Sequence, residues 1–181
     1  MSSAAGAVGG AVGQLAKAQG CRVVGIAGGE DKCRYVVDEL GFDACVDYKQ
    51  NNLRDDLKAA APNGIDGYFE NVGGAVLDAV LARMNAFGRI ALCGMIAGYD
   101  GEPMPIKQPQ LFLVSRLKLE AFIVSEHMEV WPEALKDLGT LVAQKKLKYR
   151  ESIAEGLERA PEAFMGLLKG RNFGKQLVRL I

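Results

Sequence analysis

Hydrophobic positions along the chain alternate between short runs rich in β-formers and longer segments with helical spacing. The runs predict strands at 22–27, 43–47, 65–70, 89–94 and 118–124. The helical spacing predicts helices at 7–19, 31–40, 53–60 and 75–84. Strand and helix in steady alternation predict an α/β fold, in which a doubly wound parallel sheet of the Rossmann type has helices on both faces.

The second half of the chain departs from this alternation. Glycines and prolines are concentrated in residues 95–110, which predicts a long loop. Beyond it the spacing predicts helices at 132–144 and 161–168, each with a proline at its start, and a last strand at 175–181. A loop of such length inside a compact domain is usually functional, so the loop is a candidate for the site.

Charge and composition exclude several classes of partner. The chain has 22 basic and 22 acidic residues, interleaved along its length, so no nucleic-acid partner is expected. No run approaches the roughly 20 apolar residues of a membrane span, and the first residues lack the pattern of a signal peptide. The four cysteines show neither metal-ligand spacing nor a disulfide framework. We therefore expect a cytoplasmic protein without a metal site.

Glycines are concentrated directly before the first predicted helix, in the run SAAGAVGGAVG at 3–13. Such a turn brings backbone amides at a helix N-terminus close to a pyrophosphate, although glycine-rich helices are also ordinary packing surfaces. A strand that ends at Ala27 follows, as a dinucleotide-binding unit requires. NAD-specific units place an acid there, whereas this chain has Gly28 and Gly29, with Lys32 and Arg34 beyond. The pattern indicates NADP(H).

Signatures of other catalytic classes do not occur in the sequence. There is no P-loop motif, and no tyrosine begins the Tyr-x-x-x-Lys pair of short-chain dehydrogenases. His127 is the single histidine, and no Ser-His-Asp machinery can be built from it. We assign His127 a structural role near a helix start.

Seven stretches carry a more specific resemblance: AGAVG (5–9), VGIAG (24–28), LGFD (40–43), DYK (47–49), YFENVGG (68–74), GRIALCG (88–94) and LKGRNFGK (168–175). Together they make nearly the whole chain resemble the leukotriene B4 12-hydroxydehydrogenase/prostaglandin reductase branch of the medium-chain dehydrogenase/reductase superfamily. The resemblance implies a zinc-independent oxidoreductase that transfers hydride from NADPH to the carbon–carbon double bond of α,β-unsaturated ketones or aldehydes. It also implies a small-molecule substrate.

The resemblance also implies a set of site residues. The pyrophosphate would be bound by backbone amides of Gly6, Ala7, Val8 and Gly9. The adenosine 2′-phosphate would be bound by Lys32 and Tyr48, and Gly28 belongs to the same cofactor-binding set. The nicotinamide half would be contacted by Asn71, Cys93, Gly94, Met95, Ile96, Tyr99, Phe122, Ile123, Val124 and Asn172. Tyr99 is the candidate catalytic residue, because a phenol facing the substrate carbonyl polarises it or relays a proton.

In one respect the chain departs from the family pattern. Members of the family have a catalytic domain and the first Rossmann strand before the glycine turn, whereas here only Met1–Ser3 precede it. We therefore expect a fragment, with the first, central strand of a 3-2-1-4-5-6 sheet largely missing and with little activity in isolation. Residues 1–146 are predicted to form the Rossmann domain, with its sheet core in 1–124, and 147–181 a segment of the catalytic domain.

Two alternative functions remain open from the sequence: a quinone reductase of the same superfamily, and a non-catalytic nucleotide-binding or oligomerisation module. The resemblance implies a homodimer that forms through strand 118–124, because an unprotected apolar edge strand invites a second copy.

Overall fold

The computed structural model describes residues 1–180. Seven strands are present: β1 (Val24–Ala27), β2 (Ala44–Asp47), β3 (Ile65–Glu70), β4 (Met84–Leu92), β5 (Lys118–Ala121), β6 (Glu151–Glu155) and β7 (Lys175–Arg179). The α-helices are α1 (Ala7–Ala18), α2 (Glu30–Arg34), α3 (Leu53–Ala60), α4 (Gly74–Leu81), α5 (Gln110–Val114), α6 (Trp131–Ala143) and α7 (Ala160–Leu168). A π-helical turn, Tyr35–Glu39, continues α2.

All strand pairs are parallel, as the alternation of strand and helix predicts. The ladders join β1 to β2, β3 to β4 to β5, and β6 to β7. The predicted Rossmann α/β fold is therefore confirmed for the first five strands, and the helices between them cover the sheet on both faces.

The first four residues lie between β1 and β3. On one side Met1 donates its amino group to the Val24 carbonyl (2.8 Å) and accepts from the Ile26 amide (2.9 Å). On the other side the Ser2 amide donates to the Phe69 carbonyl (3.2 Å). These residues thus occupy the position of the first Rossmann strand, where the sequence predicts a gap in the sheet. The order across the sheet is β2, β1, residues 1–4, β3, β4 and β5.

Close packing of α1 on the sheet explains the small residues along this helix. A Cβ atom at Gly13 would lie 1.8 Å from the ring of Phe42, so only glycine fits at this approach. Phe42 belongs to one of two buried apolar clusters, with Ala4, Val36 and Leu40. The other cluster is centred on α4 and strands β3 and β4. The two clusters hold the carboxyl ends of the strands at one edge of the sheet.

Several predicted boundaries are wrong. The helix predicted to end at Met84 ends at Leu81, because Met84 pairs with Ile65 and begins β4. The strand predicted to reach Val124 ends at Ala121, and Val124 begins a 3-10 turn. Strand β6 and helix α5 are not predicted, since both are five residues long with weak local patterns.

The C-terminal segment packs on the glycine turn. The Gly174 amide donates to the Ala5 carbonyl (2.9 Å), and Gly6 forms a parallel bridge with Gly174. Behind this contact the buried Gln14 side chain accepts from the Lys148 amide (2.8 Å) and donates to its carbonyl (2.9 Å). These bonds fix the segment beside α1. Within residues 1–180 no helix is long and apolar enough to cross a membrane.

Candidate active site

A cavity of about 530 Å³ lies where the glycine turn, the carboxyl ends of the strands and the C-terminal segment meet. Its size is within the range of about 300–1,000 Å³ typical of cofactor pockets. Most of the residues that the sequence singles out line it: Gly6, Ala7, Val8, Gly9, Gly28, Lys32, Tyr48, Asn71, Cys93, Gly94, Ile96, Tyr99 and Asn172. The fold thus brings together residues that are up to 166 positions apart, from Gly6 to Asn172.

The other four residues of the predicted set are not part of this lining. Phe122 packs edge-on against Phe69, with ring centroids 6.1 Å apart. Ile123 and Val124 are exposed on the surface after β5, and Met95 is directed towards Gly73. Strand β5 ends at Ala121 and a 3-10 turn begins at Val124, so Phe122, Ile123 and Val124 follow the strand rather than belong to it.

The glycine turn presents free amides to the cavity. Helix α1 begins at Ala7, with Gly6 as its N-cap in extended conformation, so its first amides have no helical carbonyl to bond. At Gly9 a Cβ atom would lie 2.2 Å from the Ser3 carbonyl oxygen. The backbone therefore approaches itself too closely for any side chain, and the amide end of α1 stays open to an anionic ligand.

The turn after β1 forms a second polar end of the cavity. Asp47 holds this turn, because its Oδ1 accepts from the amides of Gly29 (2.7 Å) and Lys49 (3.0 Å). The Tyr48 ring lies so close to Gly28 that a Cβ atom there would be 2.8 Å from it. Lys32 is half-buried beside them, and this burial, together with the charge of Lys49, lowers the pKa of Lys32 below the usual lysine range.

Lys32 makes a bond that its place in the sequence does not predict. Its Nζ donates to the Gly170 carbonyl (2.7 Å) and lies 5.5 Å from the centroid of the Phe173 ring. An ammonium group has three donors, so two remain for a ligand.

A buried carboxylate supports the nicotinamide side. Glu70 is fully buried and accepts from Ser2 Oγ (2.7 Å), the Val72 amide (2.6 Å) and Tyr68 Oη (3.0 Å). Burial raises the pKa of Tyr68 well above that of an ordinary tyrosine, so its phenol remains a donor. Ser2 Oγ also accepts from the Asn71 amide (2.7 Å). The network therefore fixes the turn at 70–72.

The side chain of Asn71 is left with an unused donor. Its Nδ2 is buried without a hydrogen-bond partner, and Asn71 lines the cavity. An unpaired buried donor costs about 1–3 kcal/mol, which an acceptor on a bound ligand would offset.

Tyr99 lies on the loop that the sequence indicates as functional. The loop is anchored to the turn at 71–72, because Ile96 donates to the Asn71 carbonyl (3.1 Å) and Ala97 to the Val72 carbonyl (3.0 Å). Tyr99 is 64% exposed at the rim of the cavity. Cys93 is an exposed residue on the same wall, and desolvation raises the pKa of its thiol. The raised pKa favours the neutral thiol over the nucleophilic thiolate.

Three contributors to this site are not predicted from the sequence: Glu70, Ser2 and Gly170. Glu70 stands inside the YFENVGG motif, and a carboxylate at the end of an apolar strand is the signal that points to it. Ser2 and Gly170 offer no such signal, because their roles depend on contacts across 69 and 138 positions.

Comparisons with known proteins agree with this geometry. The chain is 44% identical to the NADPH-dependent curcumin reductase of Escherichia coli K12, over 99% of the chain and 54% of that protein. It is 45% identical to prostaglandin reductase 1 of Rattus norvegicus, over 99% of the chain and 55% of that protein. The chain therefore spans about half the length of the curated relatives it matches.

A solved structure gives the same relation in three dimensions. The structure of CurA from Vibrio vulnificus in complex with NADPH superposes with a TM-score of 0.93 at 44% identity, over 99% of the chain and 56% of CurA. The predicted resemblance to the medium-chain dehydrogenase/reductase superfamily is thereby confirmed.

The family that matches the chain, over residues 7–140, is described as zinc-binding dehydrogenase. Zinc requires several His, Cys, Asp or Glu side chains around one point, and residues 1–180 contain no group of three such side chains close together. The described residues therefore do not fit a zinc ion. The match covers well over half of the chain, which therefore belongs to the zinc-binding dehydrogenase family.

Proposed function

We propose that the protein is an NADPH-dependent reductase of the carbon–carbon double bond of α,β-unsaturated ketones or aldehydes, and that the cavity is its cofactor site. The observation that carries the proposal is the convergence of three polar features on one cavity: the open amides of α1, the Lys32 ammonium group and the orphaned Asn71 amide. Two of the relatives named above are reductases by name, one of them NADPH-dependent, and the CurA structure is a complex with NADPH.

The polar ends of the cavity fit the polar groups of NADPH. The amides of Ala7 and Val8 would bind the pyrophosphate, since a helix N-terminus attracts anions. Lys32 and the Tyr48 phenol would bind the 2′-phosphate. Asn71 Nδ2 would donate to an acceptor on the nicotinamide half, with its backbone held by Ser2 and Glu70. When bound, the reduced nicotinamide supplies the hydride.

Tyr99 is proposed to act on the substrate. Its phenol stands at the rim of the same cavity and would donate a hydrogen bond to the carbonyl oxygen. Such a bond stabilises the negative charge that develops on this oxygen as hydride reaches the β-carbon. Because Tyr99 is exposed here, water has access to this point, and we expect turnover by the chain alone to be slow.

The test combines cofactor binding with turnover. We expect micromolar or tighter NADPH binding in calorimetric titrations, and slow NADPH consumption with enones. Tyr99→Phe should lower this rate about a hundredfold while the NADPH affinity stays unchanged. Consumption with quinones but not with enones would identify a quinone reductase, whereas binding without any consumption would favour a non-catalytic nucleotide-binding module. A chain that does not bind NADPH would refute the proposal.

We also propose that the protein is a homodimer in the cytoplasm. Within residues 1–180, strand β5 pairs with β4 on one side only, and the exposed Ile123 and Val124 follow it along the chain. The Phe122 amide bonds to the Leu92 carbonyl of β4. Backbone amides alternate along a strand, so that of Ala121 faces the open edge.

Ala121→Pro therefore removes an outward donor and spares the bonds to β4. In sedimentation experiments we expect a dimer for the unmodified chain and a monomer for this variant. A monomeric unmodified chain at tens of micromolar would contradict the dimer.

A further inference from the structure

A positively charged cleft of about 390 Å³ lies beside the cavity, at the end where Lys32 stands. One wall is the turn from Gly28 to Lys32, with Lys49 next to it. The other wall is the segment 169–173, which contributes Lys169 and Arg171. Four cations from distant parts of the chain therefore surround one small volume.

Within the described part of the chain, these cations have no carboxylate partner at ion-pair distance. Two acids, Glu30 and Asp31, also line the cleft, but Asp31 is paired with Arg34. Among residues 1–180, no ion pair involves Lys32, Lys49, Lys169 or Arg171. Like charges repel in this cleft, and the proximity of Lys49 contributes to the lowered pKa of Lys32, after burial. An anion of two charges at this point would relieve that repulsion.

The segment 169–173 also determines how Lys32 is presented. Its Gly170 carbonyl accepts one of the three Nζ donors at 2.7 Å. The Phe173 ring lies 5.5 Å from the same Nζ, and Arg150 covers this ring from a distance of 4.6 Å. Lys32 thus donates one hydrogen bond to the segment and keeps two donors for a ligand. Because this bond already restricts the Lys32 side chain, ligand binding costs less conformational entropy.

We infer that Lys169 and Arg171 are specificity-determining residues for the dinucleotide, and that the Gly170 carbonyl positions Lys32 for the same ligand group. This inference rests on the proposed function. The group recognised is the 2′-phosphate of NADPH, the only dianionic group that distinguishes it from NADH. The C-terminal segment, rather than the turn after β1 alone, then selects between the two cofactors.

Calorimetric titration of the whole chain with NADPH and with NADH tests the inference. The double variant Lys169→Gln/Arg171→Gln removes the two charges. Each exposed charge contributes modestly, so we expect the variant to lose about threefold to tenfold in NADPH affinity and nothing in NADH affinity. The loss should shrink between about 10 mM and 1 M salt, where the screening length falls from about 30 Å to about 3 Å. If the two residues had a purely structural role, the double variant would lose affinity for both cofactors, and the loss would not depend on salt.

Two control variants accompany it. Lys58→Gln/Lys136→Gln removes the same charge from exposed positions on α3 and α6, and should leave the preference intact. Lys169→Arg/Arg171→Lys keeps the charge and should retain most of the NADPH affinity.

Two results would overturn the inference. If the unmodified chain prefers NADPH and the double Gln variant keeps the whole preference, the inference fails and the proposed function stands. If the unmodified chain binds neither cofactor, both fail together.

Discussion

The buried carboxylate of Glu70 offers a sharp test of how the site is built. Its two oxygens accept from three donors: Ser2 Oγ, the Val72 amide and Tyr68 Oη. Glu70→Ala removes all three acceptors and leaves donors without partners in a region closed to water. Each such donor costs about 1–3 kcal/mol, and some of this cost is recovered by relaxation. We expect a loss of about 3–5 kcal/mol in the free energy of unfolding.

Glu70→Gln separates the hydrogen bonds from the charge. The amide oxygen continues to accept from Ser2 and Val72, and the amide nitrogen faces Tyr68, whose oxygen is able to accept. The expected loss is therefore only about 1 kcal/mol. Glu129→Ala, at an exposed position, serves as the control and should change stability by less than about 0.5 kcal/mol.

Urea unfolding followed by circular dichroism measures these differences. With a denaturant slope of about 2 kcal/mol/M, Glu70→Ala should lower the midpoint by roughly 1.5–2.5 M, and Glu70→Gln by roughly 0.5 M. Because the network fixes the turn that carries Asn71, Glu70→Gln should also retain NADPH binding. Equal losses of stability in the two variants, or an unchanged unfolding midpoint for Glu70→Ala, would contradict this role of Glu70.

Three further predictions address the cofactor site and the core. Lys32→Ala should lower NADPH affinity about tenfold to a hundredfold in calorimetric titrations and leave NADH affinity unchanged. Because burial lowers the pKa of Lys32, the NADPH preference of the unmodified chain should also decrease as pH rises through that lowered pKa and the ammonium group loses its charge. Gly13→Ala should cost about 1–3 kcal/mol of stability in urea unfolding because its Cβ meets the Phe42 ring, and an unchanged midpoint would contradict this. The hydrogen bond from Lys17 holds the pKa of Asp43 below its usual range. This carboxylate therefore stabilises the fold above that range, and the stabilisation is lost as pH falls through the lowered pKa. Asp43→Asn should make the melting temperature less sensitive to acid, and identical pH profiles of the two proteins would exclude the effect.

Local sequence patterns predict the parts of the site that lie within a single structural element. The glycine turn before α1 and the absence of an acid after β1 are readable, because close backbone approach and ligand charge constrain residue type at fixed spacing. The helix 53–60 and the strand 65–70 were predicted with their observed ends, because turn residues bound both. The end of α4 was missed, since Met84 fits a helical pattern equally well.

What the sequence determined by itself is the class of fold, the family resemblance and the set of candidate residues, because these depend on periodicity and on motifs within short windows. The tertiary structure alone decided which of them meet. It directs Lys32 to the Gly170 carbonyl, places Ser2 between Glu70 and Asn71, and leaves Ile123 exposed after the end of β5. Such contacts join residues far apart in the chain, and their geometry is determined by how strands and helices pack, which no local pattern of residues records.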